Sequence, residues 1–244
     1  MKKTFFHRPL RHLAGVLALA VVIPSAWAEN PAGIPSDYEL VYASDFSTPA
    51  SIDDFVFSDP NAWKINQEGD KPALELVKQS KYKPPVRSPV NIALLKGKSF
   101  QDVIIEADCL QTGKEYGHRD MIFVYGFQSP TKFYYTHIAT AGDDHAHNCF
   151  IVNEAPRIKF AEKTTKGVNW GLEQWHHVRI DRKATDGTVK VYFDDMKDPI
   201  MEGKDQTFPS GFVGFGSFDD TGKVANIKVW APSVETKETP PFTK

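Results

Sequence analysis

Residues 116–156 read YGHRDMIFVYGFQSPTKFYYTHIATAGDDHAHNCFIVNEAP. Two aromatic-rich runs, 121–127 and 133–139, flank Gln128-Ser129-Pro130-Thr131-Lys132, a pattern that predicts a β-hairpin. Around it crowd His118, Arg119, Asp120, Tyr134, Tyr135, His137, Asp143, Asp144, His145, His147 and Asn148. Four of the chain's eight histidines lie in this stretch. A strand pair needs alternating apolar side chains but has no need of so many imidazoles. The stretch that sets the fold is therefore also the place to search for chemistry.

Its neighbours keep the same period. In residues 99–110 (SFQDVIIEADCL), Val103, Ile105, Ala107 and Cys109 share one face, and Ile104, Glu106, Asp108 and Leu110 the other. One face is apolar and the other carries two acids, as in a strand with one side on a core. Similar runs occur at 38–46, 63–66, 73–78, 90–95, 148–152, 157–160, 174–182, 188–194, 211–218 and 223–230. Turn signals such as Gly69-Asp70, Asp186-Gly187 and Thr221-Gly222 separate them. No segment of about twelve residues keeps a 3.6 period with caps at both ends, so helices should be short and few. Strands at regular spacing without helical interludes predict an all-β, two-sheet antiparallel sandwich.

The ends of the chain bound where it works. A positive start, an apolar run at 13–23 and Ala26-Trp27-Ala28 make residues 1–28 a signal peptide, cleaved after Ala28. The expected product is periplasmic or secreted, with no membrane segment after cleavage. Residues 29–37 form a lead-in, and residues 232–244, with Pro240-Pro241, a flexible tail. The remaining length suits one large β domain, expected to act as a monomer. A net charge of −2 and no basic tract exclude electrostatic attraction to nucleic acid. Cys109 and Cys149 both sit in apolar runs. Export permits a disulfide between them, but a bridge needs their strands to be neighbours, and buried free thiols are the reading favoured.

The order of signals in the second half carries a resemblance. Gln174-Trp175-His176-His177-Val178-Arg179-Ile180 leads to Gly187-Thr188-Val189-Lys190-Val191-Tyr192-Phe193-Asp194. Gly211-Phe212-Val213-Gly214-Phe215-Gly216 and Val224-Ala225-Asn226-Ile227-Lys228-Val229 follow, with Asp45-Phe46 and Trp63 near the start. This resembles the concanavalin A-like lectin and glucanase superfamily of laminin-G-like jelly rolls, and within it the 3-keto-disaccharide hydrolase type of domain. The resemblance implies a jelly-roll domain over residues 38–231 that holds carbohydrate on a concave sheet. It specifies fold better than activity, because the matching motifs are structural.

The resemblance also assigns places. Tyr135-Thr136-His137 stands where such domains carry Glu-x-Gln, which puts Tyr135 and His137 on the concave face; the family carboxylate is missing, and no laminarinase signature occurs. With Arg87, the pair resembles the Arg, Gln-x-His and Tyr set of alginate-lyase-like jelly rolls. There a cation neutralises a uronate carboxylate, a base takes the C5 proton and an acid protonates the leaving oxygen. An imidazole suits the base and a phenol the acid. Position 135 is Tyr rather than Gln, and 211–218 lacks the tyrosine of those lyases. The alternative is a sugar-binding pair without chemistry.

Asp120 is a candidate general acid beside His118 and Arg119, with Arg119 expected to pair with it or to touch substrate. Gln128, His145, His147 and Asn148 complete the expected substrate-binding set. His145-Ala146-His147 could instead join His137 or His118 on a transition metal. No cofactor is required; a structural Ca²⁺ between Asp45 and Asp219 is one expectation, and turn-forming surface acids the other. His176 and His177 fall on opposite faces of one strand and read as structural. The function expected is an exported carbohydrate-active protein that binds and cleaves a poly- or oligosaccharide as glycoside hydrolase or polysaccharide lyase. The alternative is a lectin-like binding domain.

Overall fold

The computed structural model describes Met1 and residues 30–242, so the expected leader lies, Met1 apart, outside the described residues. In chain order the strands are β1 (Glu39–Ser44), β2 (Phe55–Phe57), β3 (Trp63–Asn66), β4 (Ala73–Leu76), β5 (Asn91–Phe100) and β6 (Val103–Gln111). Next come β7 (Asp120–Ser129), β8 (Lys132–Ala139), β9 (Asn148–Asn153), β10 (Ile158–Lys159), β11 (Ala161–Thr164) and β12 (Trp175–Lys183). β13 (Thr188–Phe193), β14 (Met201–Lys204), β15 (Gly211–Ser217), β16 (Gly222–Ala231) and β17 (Glu235–Thr236) close the chain. Among the described residues, helix is confined to two 3₁₀ turns, Pro49–Asp54 and Pro60–Ala62.

A nine-stranded sheet runs β11-β14-β13-β12-β6-β16-β4-β3, with β1 on β16. An eight-stranded sheet runs β10-β9-β8-β7-β15-β5-β17, with β2 on β5. Every pairing between strands is antiparallel, as the alternation at 99–110 requires. The fold is the jelly-roll sandwich expected. The core between the sheets takes Ile105, Ala107 and Cys109 from β6, Phe123 and Tyr125 from β7, and Val178 and Ile180 from β12.

One local device decides what the second sheet presents outward. Tyr125 packs in the core while Phe127, two residues on, packs on the opposite face. A strict period of two forbids that. The pairing of β7 with β8 slips between Tyr125 and Ser129, and Gly126 sits there at φ +58°, a backbone only glycine adopts freely. Phe127 thereby joins an apolar outer face of the eight-stranded sheet, with Ile92, Leu94, Ile122, Val124, Phe133, Tyr135, Phe150, Val152 and Phe212. Val86 and Phe242 pack over it, and Phe242 meets Tyr82 at 5.4 Å and Phe127 at 5.5 Å. The segment after residue 232 adds β17, paired with Ser99 and Lys98 of β5.

Cys109 and Cys149 are buried free thiols on strands of different sheets. Burial pushes both thiols up, Cys149 to about 11.

Candidate functional site

Tyr135 and His137 alternate with core residues along β8, so both project from the outer face of the eight-stranded sheet. Asp120 opens the neighbouring β7, and His137 Nε2 lies 3.2 Å from its Oδ2. Both side chains are nearly sealed, His137 being 3 % exposed and Asp120 0 %. Asp120 is held by its surroundings: Ser217 Oγ donates to Oδ1 at 2.8 Å and the Phe218 amide to Oδ2 at 2.9 Å. Beside it, Asp220 Oδ2 accepts from the Tyr116 hydroxyl at 2.9 Å and from the Asp120 amide at 3.2 Å. Burial, with the Asp120 charge added, raises Asp220 to about 6.

A fourth member comes from a loop. Arg157 lies 4.0 Å above the Phe218 ring and 5.2 Å from that of Phe150. Phe150 in turn stacks on Tyr135 at 5.2 Å and meets His137 edge-on at 6.1 Å. Tyr135, His137 and Arg157 therefore share one aromatic neighbour. Burial pushes the Tyr135 phenol far above its usual range, opposed by the nearby Arg157 charge, so it stays protonated.

What sets this nest apart is what its polar atoms lack. Tyr135 Oη, His137 Nδ1 and Nε2, and Arg157 Nη1 are buried without a hydrogen-bond partner; the His137–Asp120 approach is close but poorly aligned. Leaving such a group unsatisfied costs about 1–3 kcal/mol each. Several in one place mark a site built for something other than stability.

Of the expected catalytic set, Asp120, Tyr135 and His137 come together. Arg87 is exposed, and its backbone carbonyl receives the Arg157 amide at 3.2 Å. Arg157, which sequence reasoning missed, supplies the guanidinium over the nest. Its signal was weak: one arginine in a short turn after a proline.

The expected substrate-binding residues scatter. His118 is exposed and pairs with Asp143 at 2.6 Å. Arg119, expected at a groove mouth, is 2 % exposed and gives its donors to Gln111 and to the Gly171 carbonyl. It ties loops together rather than meeting substrate or pairing with Asp120. Gln128 is exposed at the far end of β7, donating to the Ser210 carbonyl. His145 is exposed, and its carbonyl takes the Arg157 Nη2 proton at 2.8 Å. His147 is buried between the Ala139 amide and Thr165 Oγ1, and burial next to His137 lowers it to about 4. Asn148 Oδ1 accepts from the Ala161 amide.

The metal expectations fare differently. Among the described residues, no group of three close potential ligands includes a histidine; the group found is Asp120, Asp219 and Asp220. Asp45 is not part of it. Ser44 pairs with Ile227, which sets Asp45 some six residues along β16 from Asp220, about 20 Å away at strand rise. One ion cannot span Asp45 and Asp219. A cation on the three clustered acids would compete with the donors that already hold Asp120 and Asp220.

The opposite outer face carries a second polar network. Arg179 of β12 pairs with Glu106 of β6, Nε to Oε1 at 2.8 Å. His177 Nδ1 meets Asp108 Oδ1 at 3.0 Å, while Lys71 and Asn226 donate to Asp108 Oδ2 at 2.6 and 2.7 Å. Donating to the Asp108 carboxylate, with Glu106 beside it, raises His177 to about 9. Burial alone would lift Glu106, but His177 and Arg179 hold it at about 2. The alternation of 99–110 already placed Glu106 and Asp108 on one outward face; their partners were beyond sequence reach.

No protein-family model matches the chain, and no curated protein matches it. Solved structures do. The carbohydrate binding module CBM66 from Bacillus subtilis superposes with a TM-score of 0.51 at 16% identity over 72% of this chain and 94% of that one. A galectin-like protein of Bacillus subtilis gives 0.51 at 11% over 82% and 100%. Lectin I-B4 of Griffonia simplicifolia, in its metal-free form, gives 0.51 at 13% over 80% and 98%. These likenesses show the fold, a two-sheet antiparallel jelly roll of the kind the sequence resemblance implied.

Proposed function

We propose that this is an exported carbohydrate-active protein, its first 28 residues a cleaved signal peptide, that takes a uronate-containing glycan at the Asp120–Tyr135–His137–Arg157 nest. The supporting observation is the set of buried polar atoms without partners on the outer face of the eight-stranded sheet. A glycan would complete them. Arg157 would pair with the uronate carboxylate as a two-pronged donor. His137, braced by Asp120, would take the C5 proton, and the Tyr135 hydroxyl would give its proton to the leaving oxygen. β-Elimination fits better than glycoside hydrolysis, because the oxygens of Asp120 and Asp220 are occupied holding Ser217, Phe218 and Tyr116.

A second reading rests on one observation. Tyr135 is 0 % exposed, so the nest could grip a sugar at its rim without turnover. Incubation of the mature chain with neutral and uronate polysaccharides, following absorbance near 235 nm and reducing ends, separates the readings. Unsaturated ends that vanish in His137→Ala support the lyase. Reducing ends alone overturn it in favour of hydrolysis, and retarded mobility in a glycan gel with neither signal leaves a binding domain.

A further inference from the structure

The outer face of the nine-stranded sheet holds an open groove of about 700 Å³. That lies within the range of small-molecule sites. Its floor is Ala43, Asp108, His177, Asn226 and Ile227; the 3₁₀ turn Pro49–Asp54 supplies one wall. The charges in and under it cancel. Three acids, Asp45, Asp54 and Asp108, stand against three cations, Lys228, Lys71 and His177, the last two both seated on Asp108. All three acids already have partners, Asp45 accepting from the Ser47 amide at 2.9 Å, Asp54 from the Tyr42 hydroxyl at 3.0 Å and Asp108 from its three donors. What remains is a mixture: hydroxyls of Ser44, Thr48 and Ser51, free carboxylate oxygens, the Lys228 ammonium.

The floor is locally irregular. β16 bulges against β6 between Ala225 and Lys228, and Asn226 sits at φ +49° with its amide turned onto Asp108. Such bulges re-aim a side chain at the expense of ladder pairing. The result is a rigid polar floor on strands, with donors and acceptors interleaved and no net charge to satisfy.

We infer that this groove is a second ligand site and that it takes an uncharged, hydroxyl-rich ligand, a short neutral oligosaccharide. Vicinal sugar hydroxyls both donate and accept, which suits a lining of mixed polarity. A charged ligand would leave the internal balance unmatched. The inference stands apart from the nest on the other sheet, which lies on the opposite side of the core.

Calorimetric titration of the mature chain with cellotetraose, laminaritetraose and maltotetraose tests it. Binding of at least one is expected, weakened tenfold or more by Asn226→Gly or Asp54→Ala and unchanged by His137→Ala. Asn226→Gly suits the local backbone, so it should fold; thermal unfolding checks this. Three results overturn the inference: no binding by any tetrasaccharide, binding lost only in His137→Ala, or preference for glucosamine or Ca²⁺ over the neutral sugars.

Discussion

Two polar clusters, one on each outer face of the sandwich, treat their side chains in opposite ways. On the nine-stranded sheet Glu106, Asp108, His177 and Arg179 are cross-linked by hydrogen bonds, with Glu106 and Arg179 buried and His177 open to water. On the eight-stranded sheet Tyr135, His137 and Arg157 are sunk among aromatic rings with polar atoms unmatched. A network with every member satisfied stiffens a surface; one left incomplete costs stability and persists for another reason. Substitutions on the two faces should therefore move stability in opposite directions.

The largest effect is expected at Glu106. Its removal in Glu106→Ala strands the buried Arg179 guanidinium, a loss of about 3–5 kcal/mol in unfolding free energy by denaturant titration. A loss under about 1 kcal/mol would mean that Arg179 finds other acceptors and that the cross-linked face is not a structural brace.

Tyr135→Phe should do the reverse. It deletes a hydroxyl that has no partner and keeps the ring stacked on Phe150, so stability is unchanged or rises by about 1 kcal/mol while glycan cleavage disappears. A clear fall in stability would show that the hydroxyl is satisfied after all, and the contrast between the faces would fail there.

The smallest effect is the pH response of His177. Its folded value of about 9 lies above the ordinary 6.5, so its contribution is fully present below pH 6.5 and is lost as pH rises through 9. Its side chain is 41% exposed, so solvent screening keeps this under about 1 kcal/mol. Melting temperature should decline between pH 6.5 and 9 in the parent and stay flatter in His177→Gln. Equal slopes would remove His177 from the network.

Much of this was legible from residue order. The period of two in β6 and β8, the hairpin and the closing strand signals fix an antiparallel sandwich, and Tyr135 and His137 fall on one face because they are two apart. What order could not reveal is how that face is finished. The slip at Gly126 turns Phe127 outward, adding its ring to those of Phe133, Tyr135, Phe150 and Phe212 on that face. Spacing likewise gave no hint that Arg119 is consumed by Gln111 and Gly171, or that Arg157 from a distant loop caps the nest. Both depend on tertiary approach, which no local pattern encodes. The pair Asp45 and Asp219 failed for the opposite reason: their strands are close neighbours in order, but the register of β1 on β16 separates them lengthwise.

Long-range ¹H–¹⁵N spectra of the imidazoles, recorded while a short oligouronate is added to the mature chain, test the central claim most directly. The His137 resonances should shift with saturation while those of His177 hold still. Movement of His177 with His137 unchanged, or no movement of either, would contradict the assignment of the ligand to the unsatisfied nest.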